Sequence, residues 1–169
     1  MKTIVKSVLA LAMLSGVSQA AEKKVENQGL YAGAGLGVMA TDDNGDAGLG
    51  LSLRAGAALD KVLKGLGVQI ELNKSLSDPE RPNNRDIDVM TLGAYATFDI
   101  KIPDSRVTLR PKIGAICPNM NDDIDSRDFI LSSGFGMTYA VESNVRLYAD
   151  YTVLGESISN YSAGLEFKF

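Results

Sequence analysis

Apolar and polar residues alternate along most of the chain between Gly29 and Phe169. The pattern is clearest at the C-terminus, where apolar residues from Tyr161 to Phe169 are separated by small or charged ones. A period of two predicts a β-strand with one apolar and one polar face. Seven earlier segments alternate in the same way, so eight strands are predicted, which begin at Leu30, Leu49, Leu66, Met90, Val107, Phe129, Val145 and Tyr161.

The connections between these segments alternate in length. Residues 60–64, 101–106 and 142–144 form short connections, whereas residues 41–47, 77–87 and 118–127 are longer and rich in Asp, Asn and Pro. Residues 155–159 form a shorter fourth member of the second group. This alternation predicts an antiparallel up-and-down order, with both chain ends on the side of the short turns, which is the periplasmic side in an outer-membrane barrel.

The polar face of the strands favours lipid over water as the surroundings of the apolar face. In a soluble barrel the polar face would meet water and carry long polar side chains. Here it is rich in glycine, with charges of both signs near the strand centres. Segments of about ten residues are long enough to cross a bilayer as tilted strands. The sequence therefore predicts an all-β fold, an eight-stranded antiparallel up-and-down transmembrane β-barrel.

Pro111 interrupts the fifth predicted strand. Proline withholds a ladder hydrogen bond, and a closed sheet has no edge strand that could accommodate it. A bulge or a local break is therefore expected beside Pro111.

The first twenty residues have the features of a secretory signal peptide. Lys2 and Lys6 precede a short apolar run, and Ser18-Gln-Ala20 supplies small residues for cleavage. The predicted organisation is a signal peptide at 1–20, a periplasmic N-terminal lead-in at 21–28 and the barrel at 29–169. Cleavage would change the formal charge from −4 to −6, which argues against a nucleic-acid partner. A single cysteine, Cys117, cannot form an internal disulfide.

Charged residues on the polar face are predicted to meet inside the barrel. Buried charges cost several kcal/mol each unless they are paired, so a mixed-sign network is expected across the lumen. Two interpretations remain open: a gate or selectivity element in a small pore, and a polar plug that fills the barrel. A lumen of eight strands is usually packed with side chains, which favours the plug. The predicted network comprises Arg54, Glu71, Lys112 and Asp150 near strand centres and Arg110, Asp99, Arg146 and Glu166 nearer strand ends.

The residue inventory argues against catalysis. The chain contains no histidine, which removes the usual general base near neutral pH. No catalytic residue, cofactor or metal site is predicted. The long loops are acidic, which suggests either divalent-cation binding or simple solubility, and no calcium-loop spacing is present. Basic residues beside these loops are candidate contacts for lipid phosphates: Lys74, Arg81, Arg85 and Arg127.

Three segments give the chain a family resemblance: Gly29-Leu-Tyr-Ala-Gly-Ala-Gly35, Leu147-Tyr-Ala-Asp-Tyr-Thr-Val-Leu-Gly155 and the terminal Phe169. With them the chain resembles the small outer-membrane barrels of the OmpA/OmpX type, including opacity-type surface proteins. The resemblance implies a bacterial outer-membrane location and a role in envelope integrity, adhesion, immune evasion or minor solute passage. It also implies an assembly signal in the last strand, formed by Tyr161, Leu165, Phe167 and Phe169.

The partners expected from this resemblance are outer-membrane lipid, lipopolysaccharide and the barrel assembly machinery. A host surface or a solute is the candidate ligand. Two functional hypotheses follow. The first is a structural or adhesive surface barrel with a filled lumen, and the second is a narrow porin-like channel for small or hydrophobic solutes.

Overall fold

The computed structural model describes residues 29–41, 47–77, 80–81, 85–86, 89–120, 129–154 and 158–169. Eight long strands account for most of them, with a two-residue hairpin, Glu80–Arg81 and Arg85–Asp86, between the third and the fourth. No helix in this part of the chain is long and apolar enough to cross a membrane. The strands are β1 (Leu30–Thr41), β2 (Gly48–Ala58), β3 (Leu66–Ser75), β4 (Val89–Phe98, resuming at Ile100–Lys101), β5 (Val107–Met120), β6 (Ile130–Ala140), β7 (Val145–Val153) and β8 (Ile158–Lys168).

Each strand pairs with its neighbours in sequence, and β8 pairs with β1 to close the barrel. All pairings are antiparallel, which confirms the predicted up-and-down order. The paired residues can be followed from strand to strand around the wall, starting at Gly29. The path returns to β1 at Met39, ten residues further along the same strand, and this displacement is the stagger of the barrel. For eight strands, that stagger corresponds to a tilt of roughly 40–45° from the barrel axis.

The two faces of the wall have opposite character. On β3, Val68 and Ile70 are 46% and 53% exposed, whereas Gln69 and Glu71 between them are 1% and 3% exposed. The same alternation runs through the other strands. Along most of the wall, apolar side chains therefore point out of the barrel and polar side chains point in, as the sequence pattern predicted.

The barrel has two distinct ends. The "turn end" carries the short connections at 59–65, 102–106 and 141–144, together with Gly29 and Phe169. The "loop end" carries the connections between β1 and β2, β3 and β4, β5 and β6, and β7 and β8. The predicted third long loop begins later than expected, because residues 118–120 continue β5 and pair with β4.

The ladder between β4 and β5 is broken beside Pro111. β4 stops at Phe98 and resumes at Ile100, which pairs with Leu109. The register places Phe98 opposite Pro111 and Asp99 opposite Arg110. The register is the same on both sides of the interruption, so no residue is inserted. The expected irregularity is therefore a local break and not a bulge, since proline offers no N–H to the ladder.

Candidate functional site

The lumen is filled by side chains in successive layers from the turn end to the loop end. Eighteen polar or charged residues of the described chain are buried, and all of them except Ser159 lie on the inner face of the wall. This interior is the candidate functional site, because it concentrates the charged chemistry of the protein.

The "central ion layer" consists of Arg54, Glu71, Lys112 and Asp150. Nη2 of Arg54 donates a hydrogen bond of 2.6 Å to Oδ2 of Asp150, and Nζ of Lys112 lies 2.8 Å from the same oxygen. Lys112 also donates to Glu71, and Arg54 lies 4.0 Å from Glu71. The four side chains are at most 4% exposed, so two cations and two carboxylates form one buried neutral cluster.

The "turn-end ion layer" consists of Asp99, Arg110, Arg146 and Glu166. Arg110 binds Asp99 through two hydrogen bonds of 2.6 and 3.2 Å and binds Glu166 through a third of 2.8 Å. Arg146 lies 3.6 Å from the other oxygen of Glu166. The structure thus places all eight residues of the predicted lumen set inside the barrel, in two separate clusters. The planar guanidinium of Arg110 suits this two-pronged contact with a carboxylate.

Tyrosine rings lie against the cations of both layers. The guanidinium carbon of Arg54 is 3.5 Å from the centre of the Tyr148 ring, and that of Arg110 is 4.5 Å from the Tyr31 ring. Nζ of Lys112 is 4.9 Å from the Tyr95 ring. Each contact has the geometry of a cation–π interaction, which stabilises a cation removed from water.

Inward glycines make room for these rings. A methyl group at Gly93 would lie 2.6 Å from a ring carbon of Tyr95, and one at Gly56 would overlap the Tyr31 ring. A methyl group at Gly35 would overlap the Tyr148 hydroxyl. The glycine-rich inner face is therefore complementary to the three tyrosines.

An amide layer lies above the central ion layer. Oγ of Ser52 donates to Oδ1 of Asn73 at 2.5 Å, and Nδ2 of Asn160 donates to the same oxygen at 3.1 Å. All three side chains are buried. They come from β2, β3 and β8, so this layer also crosses the lumen.

The "apolar layer" closes the loop end and was missed by the sequence reasoning. Met39, Val89, Ile116 and Leu154 are fully buried, and Ile158 is 4% exposed. They form one cluster with Tyr95. Ile116 is separated from Arg110 and Lys112 by an even number of residues, so the alternation alone would place it on the inner face. The predicted strand ended before Ile116, and for that reason the residue was not assigned.

The chemistry of the lumen is that of a packed, charge-neutralised interior. Three polar atoms of the central region lack a hydrogen-bond partner within the described chain: Nε of Arg54, Oδ1 of Asp150 and the Tyr148 hydroxyl. The described residues contain no group of three or more metal-ligating side chains. The acidic loop residues and the signal peptide lie outside the described side chains.

The residues of the predicted assembly signal lie on the outer face of β8. Tyr161 is 53% exposed, Leu165 43%, Phe167 46% and Phe169 43%. Tyr161 also packs against Tyr151 with ring centres 5.0 Å apart. Their placement suits lipid contact, and recognition by the assembly machinery stays a prediction.

The chain matches a family model over residues 7–169, that of the outer membrane protein beta-barrel domain. No curated protein sequence matches it significantly. Among solved structures, it is similar to Neisserial surface protein A, with 19% identity, a TM-score of 0.57 and coverage of 83% of this chain and 96% of that one.

Two further solved structures show the same fold. The outer membrane protein OprG from Pseudomonas aeruginosa is 11% identical, with a TM-score of 0.56 and coverage of 85% of this chain and 97% of that one. The attachment invasion locus protein Ail of Yersinia pestis, solved with the heparin analogue sucrose octasulfate, is 16% identical, with a TM-score of 0.51 and coverage of 83% and 97%. At these identities the likeness concerns the fold alone.

Proposed function

Because the chain belongs to the outer membrane protein beta-barrel family and is thus a protein of the bacterial outer membrane, we propose that it acts as a closed barrel with a structural or surface-interaction role. The observation that carries this proposal is the stacking of two different barriers in one lumen. A salt-bridged ion layer lies below an apolar layer, and both are buried.

The two barriers oppose different solutes. A polar solute or ion that displaced part of the central ion layer would leave buried charges unpaired, at a cost of several kcal/mol. It would then meet the apolar layer, which offers no hydrogen bond in exchange for lost water. An apolar solute would pass the second layer more readily but would be stopped by the first. The filled lumen therefore supports a barrel that does not conduct at rest.

The orientation follows from the two ends. We place the turn end in the periplasm and the loop end outside the cell, the usual arrangement for such barrels. The external loops would then present many carboxylates, among them Asp42, Asp43, Asp122 and Asp123. Such loops repel anionic polysaccharides and favour a basic partner surface, or lipopolysaccharide bridged by divalent cations.

A narrow channel is the alternative function. The unpartnered Nε of Arg54, Oδ1 of Asp150 and Tyr148 hydroxyl favour it, since these atoms retain hydrogen-bonding capacity inside the lumen. A passing solute could use that capacity only if the ion pairs rearranged and the apolar layer opened.

Solute uptake into proteoliposomes separates the two functions. The closed barrel predicts that small sugars and amino acids enter no faster than into protein-free vesicles. Uptake that rises with the amount of wild-type barrel and is lost on heat denaturation would support the channel.

Cell-surface binding tests the interaction role. Cells that express a barrel with Asp122, Asp123, Asp125 and Asp128 changed to Asn should bind basic host surfaces less well than cells with the unchanged barrel. Exposed acidic residues at the other end supply the matched control, Asp104→Asn with Glu142→Gln, which should leave binding unchanged. Equal binding by all three would contradict a role for the loop charges.

The proposal involves no catalysis. A chain without histidine lacks the usual general base near neutral pH. The barrel assembly machinery and lipopolysaccharide remain proposed partners, supported by the outward apolar residues of β8 and by the membrane location.

A further inference from the structure

A cleft of about 390 Å³ opens at the turn end, on one side of the barrel mouth. Its lining comes from the start of β1, the end of β2, the β2–β3 turn, the start of β3 and the end of β4, with Arg110, Arg146 and Lys168 from the other strands. The cleft lies against the turn-end ion layer, because Asp99, Arg110 and Arg146 of that layer form part of its lining.

Cations dominate the charge of the cleft. Five basic residues line it, here called the basic vestibule: Lys64, Lys101, Arg110, Arg146 and Lys168. The two lining carboxylates are already engaged, since Asp99 is bound twice by Arg110 and Asp60 accepts a hydrogen bond of 2.8 Å from the amide of Gly65. Within the described chain, no carboxylate lies within 4.0 Å of Lys64, Lys101 or Lys168.

The strand register brings these cations to one place. Lys101 follows Asp99 by two residues, Lys168 follows Glu166 by two and Arg146 precedes Tyr148 by two, so all three occupy lumen-side positions at strand ends. Arg146 lies 3.6 Å from Glu166 and donates no hydrogen bond to the residues that the structure describes. Arg146 therefore lines the cleft with a guanidinium whose donors make no hydrogen bond to described residues, and a guanidinium suits a phosphate.

The cleft also reaches the lipid-facing side of the wall. Leu66, Phe98 and Ile100 line it, and these side chains lie on the outer, apolar face of β3 and β4. Gly65 and Gly67 also line the cleft, so no side chain projects into it from these two positions. The cleft is therefore amphiphilic, with an apolar outer part and a cationic inner part.

We propose that this cleft binds a phosphate group of a membrane phospholipid, with the acyl chain along Leu66, Phe98 and Ile100 and the phosphate at the basic vestibule. A headgroup seated there places its negative charge beside Arg146, Lys101 and Lys168. The site goes beyond the proposed function and does not require the lumen to be closed.

Nuclear magnetic resonance in phosphate-free maltoside micelles tests the site. The probe is dihexanoyl phosphatidylglycerol, with dihexanoylglycerol as the uncharged analogue and inorganic phosphate as the soluble source of the same anion. The expected result is saturable shifts of the Arg146 side-chain N–H and the Gly65 and Lys101 amides with the phospholipid, and none with dihexanoylglycerol. Inorganic phosphate should bind the same residues at least tenfold more weakly.

Two variants and a matched control make the test specific. Lys101→Gln with Lys168→Gln changes only exposed side chains, and Arg146→Gln removes the guanidinium; each should weaken phospholipid binding by roughly tenfold or more, the loss expected for charge-assisted hydrogen bonds. Lys61→Gln with Arg106→Gln removes two exposed cations at the same end that do not line the cleft, and should change binding less than twofold. Heat-modifiable gel migration checks that each variant folds.

Three results would overturn the proposal. The first is the absence of saturable shifts with the phospholipid. The second is equal weakening by the control variant, which would indicate a diffuse charge effect. The third is binding of inorganic phosphate as tight as that of the phospholipid, which would show that the cleft recognises the phosphate anion and not the lipid.

Discussion

Arg54 and Asp150 meet across the lumen, with a hydrogen bond of 2.6 Å between Nη2 and Oδ2, although 96 residues separate them in sequence. β2 and β7 are not neighbours in the wall, because β1 and β8 lie between them. The bond therefore crosses the interior of the barrel and links two non-adjacent strands.

Removing Arg54 should strongly destabilise the barrel. Arg54→Ala leaves two carboxylates, Glu71 and Asp150, with Lys112 as their one cation in the central ion layer. The expected loss in the free energy of unfolding is about 3–5 kcal/mol. Because the chain contains no tryptophan, unfolding by urea in lipid vesicles is best followed by circular dichroism and gel migration.

Arg106→Ala is the matched control, because Arg106 lies exposed in a turn. It should change the free energy of unfolding by less than about 0.5 kcal/mol. Equal stability of the two variants would show that the central ion layer contributes nothing.

A charge on the outer face should cost free energy according to its depth in the membrane. Ile70→Arg places a cation near the middle of β3 on the lipid side, and should reduce stability by about 2–4 kcal/mol. Ile100→Arg places the same cation at the turn end, where the cost should be about 0–1 kcal/mol. Equilibrium unfolding in vesicles measures both, and a larger penalty for Ile100→Arg would contradict the assigned membrane position.

Gly93→Ala should destabilise the barrel because the added methyl group meets only side chains, those of Tyr95 and Ile116, among its three nearest contacts. Overpacking of this kind costs about 1–3 kcal/mol. Adding Tyr95→Leu should recover part of the loss, so the two changes are not additive. If the losses in stability of the two single variants simply add in a double-mutant cycle, the ring of Tyr95 does not contact the methyl group at position 93. Ala94→Val, on the outer face, serves as the neutral control.

The sequence predicted the strands and their faces because both depend on local alternation. Val68, Gln69 and Ile70 already show which residues meet lipid. The partners inside the lumen could not be predicted in this way. Whether Arg54 reaches Asp150 or another carboxylate depends on the ten-residue stagger of the closed sheet, which is a property of all eight pairings together.

The apolar layer and the cleft were missed for different physical reasons. Ile116 and Leu154 are apolar residues at inward positions, so a rule that assigns apolar residues to lipid overlooks them. The cleft depends on the turn at 59–65 and on the break in β4, where backbone conformation and not residue alternation sets the shape.

The two barriers should act in series. Arg54→Ala with Glu71→Ala disrupts the ion layer but leaves the apolar layer intact, so this variant should remain closed in planar bilayers. Adding Ile116→Ser and Leu154→Ser makes the second layer polar and should produce measurable current. Full conductance in the first variant would show that the apolar layer is no barrier.

The conductance of the wild-type barrel in planar lipid bilayers tests the closed lumen most directly. With heat-modifiable, folded protein inserted, we predict a membrane current no greater than that of the protein-free bilayer across moderate voltages. Stable, reproducible open-state current from the unmodified protein would contradict it.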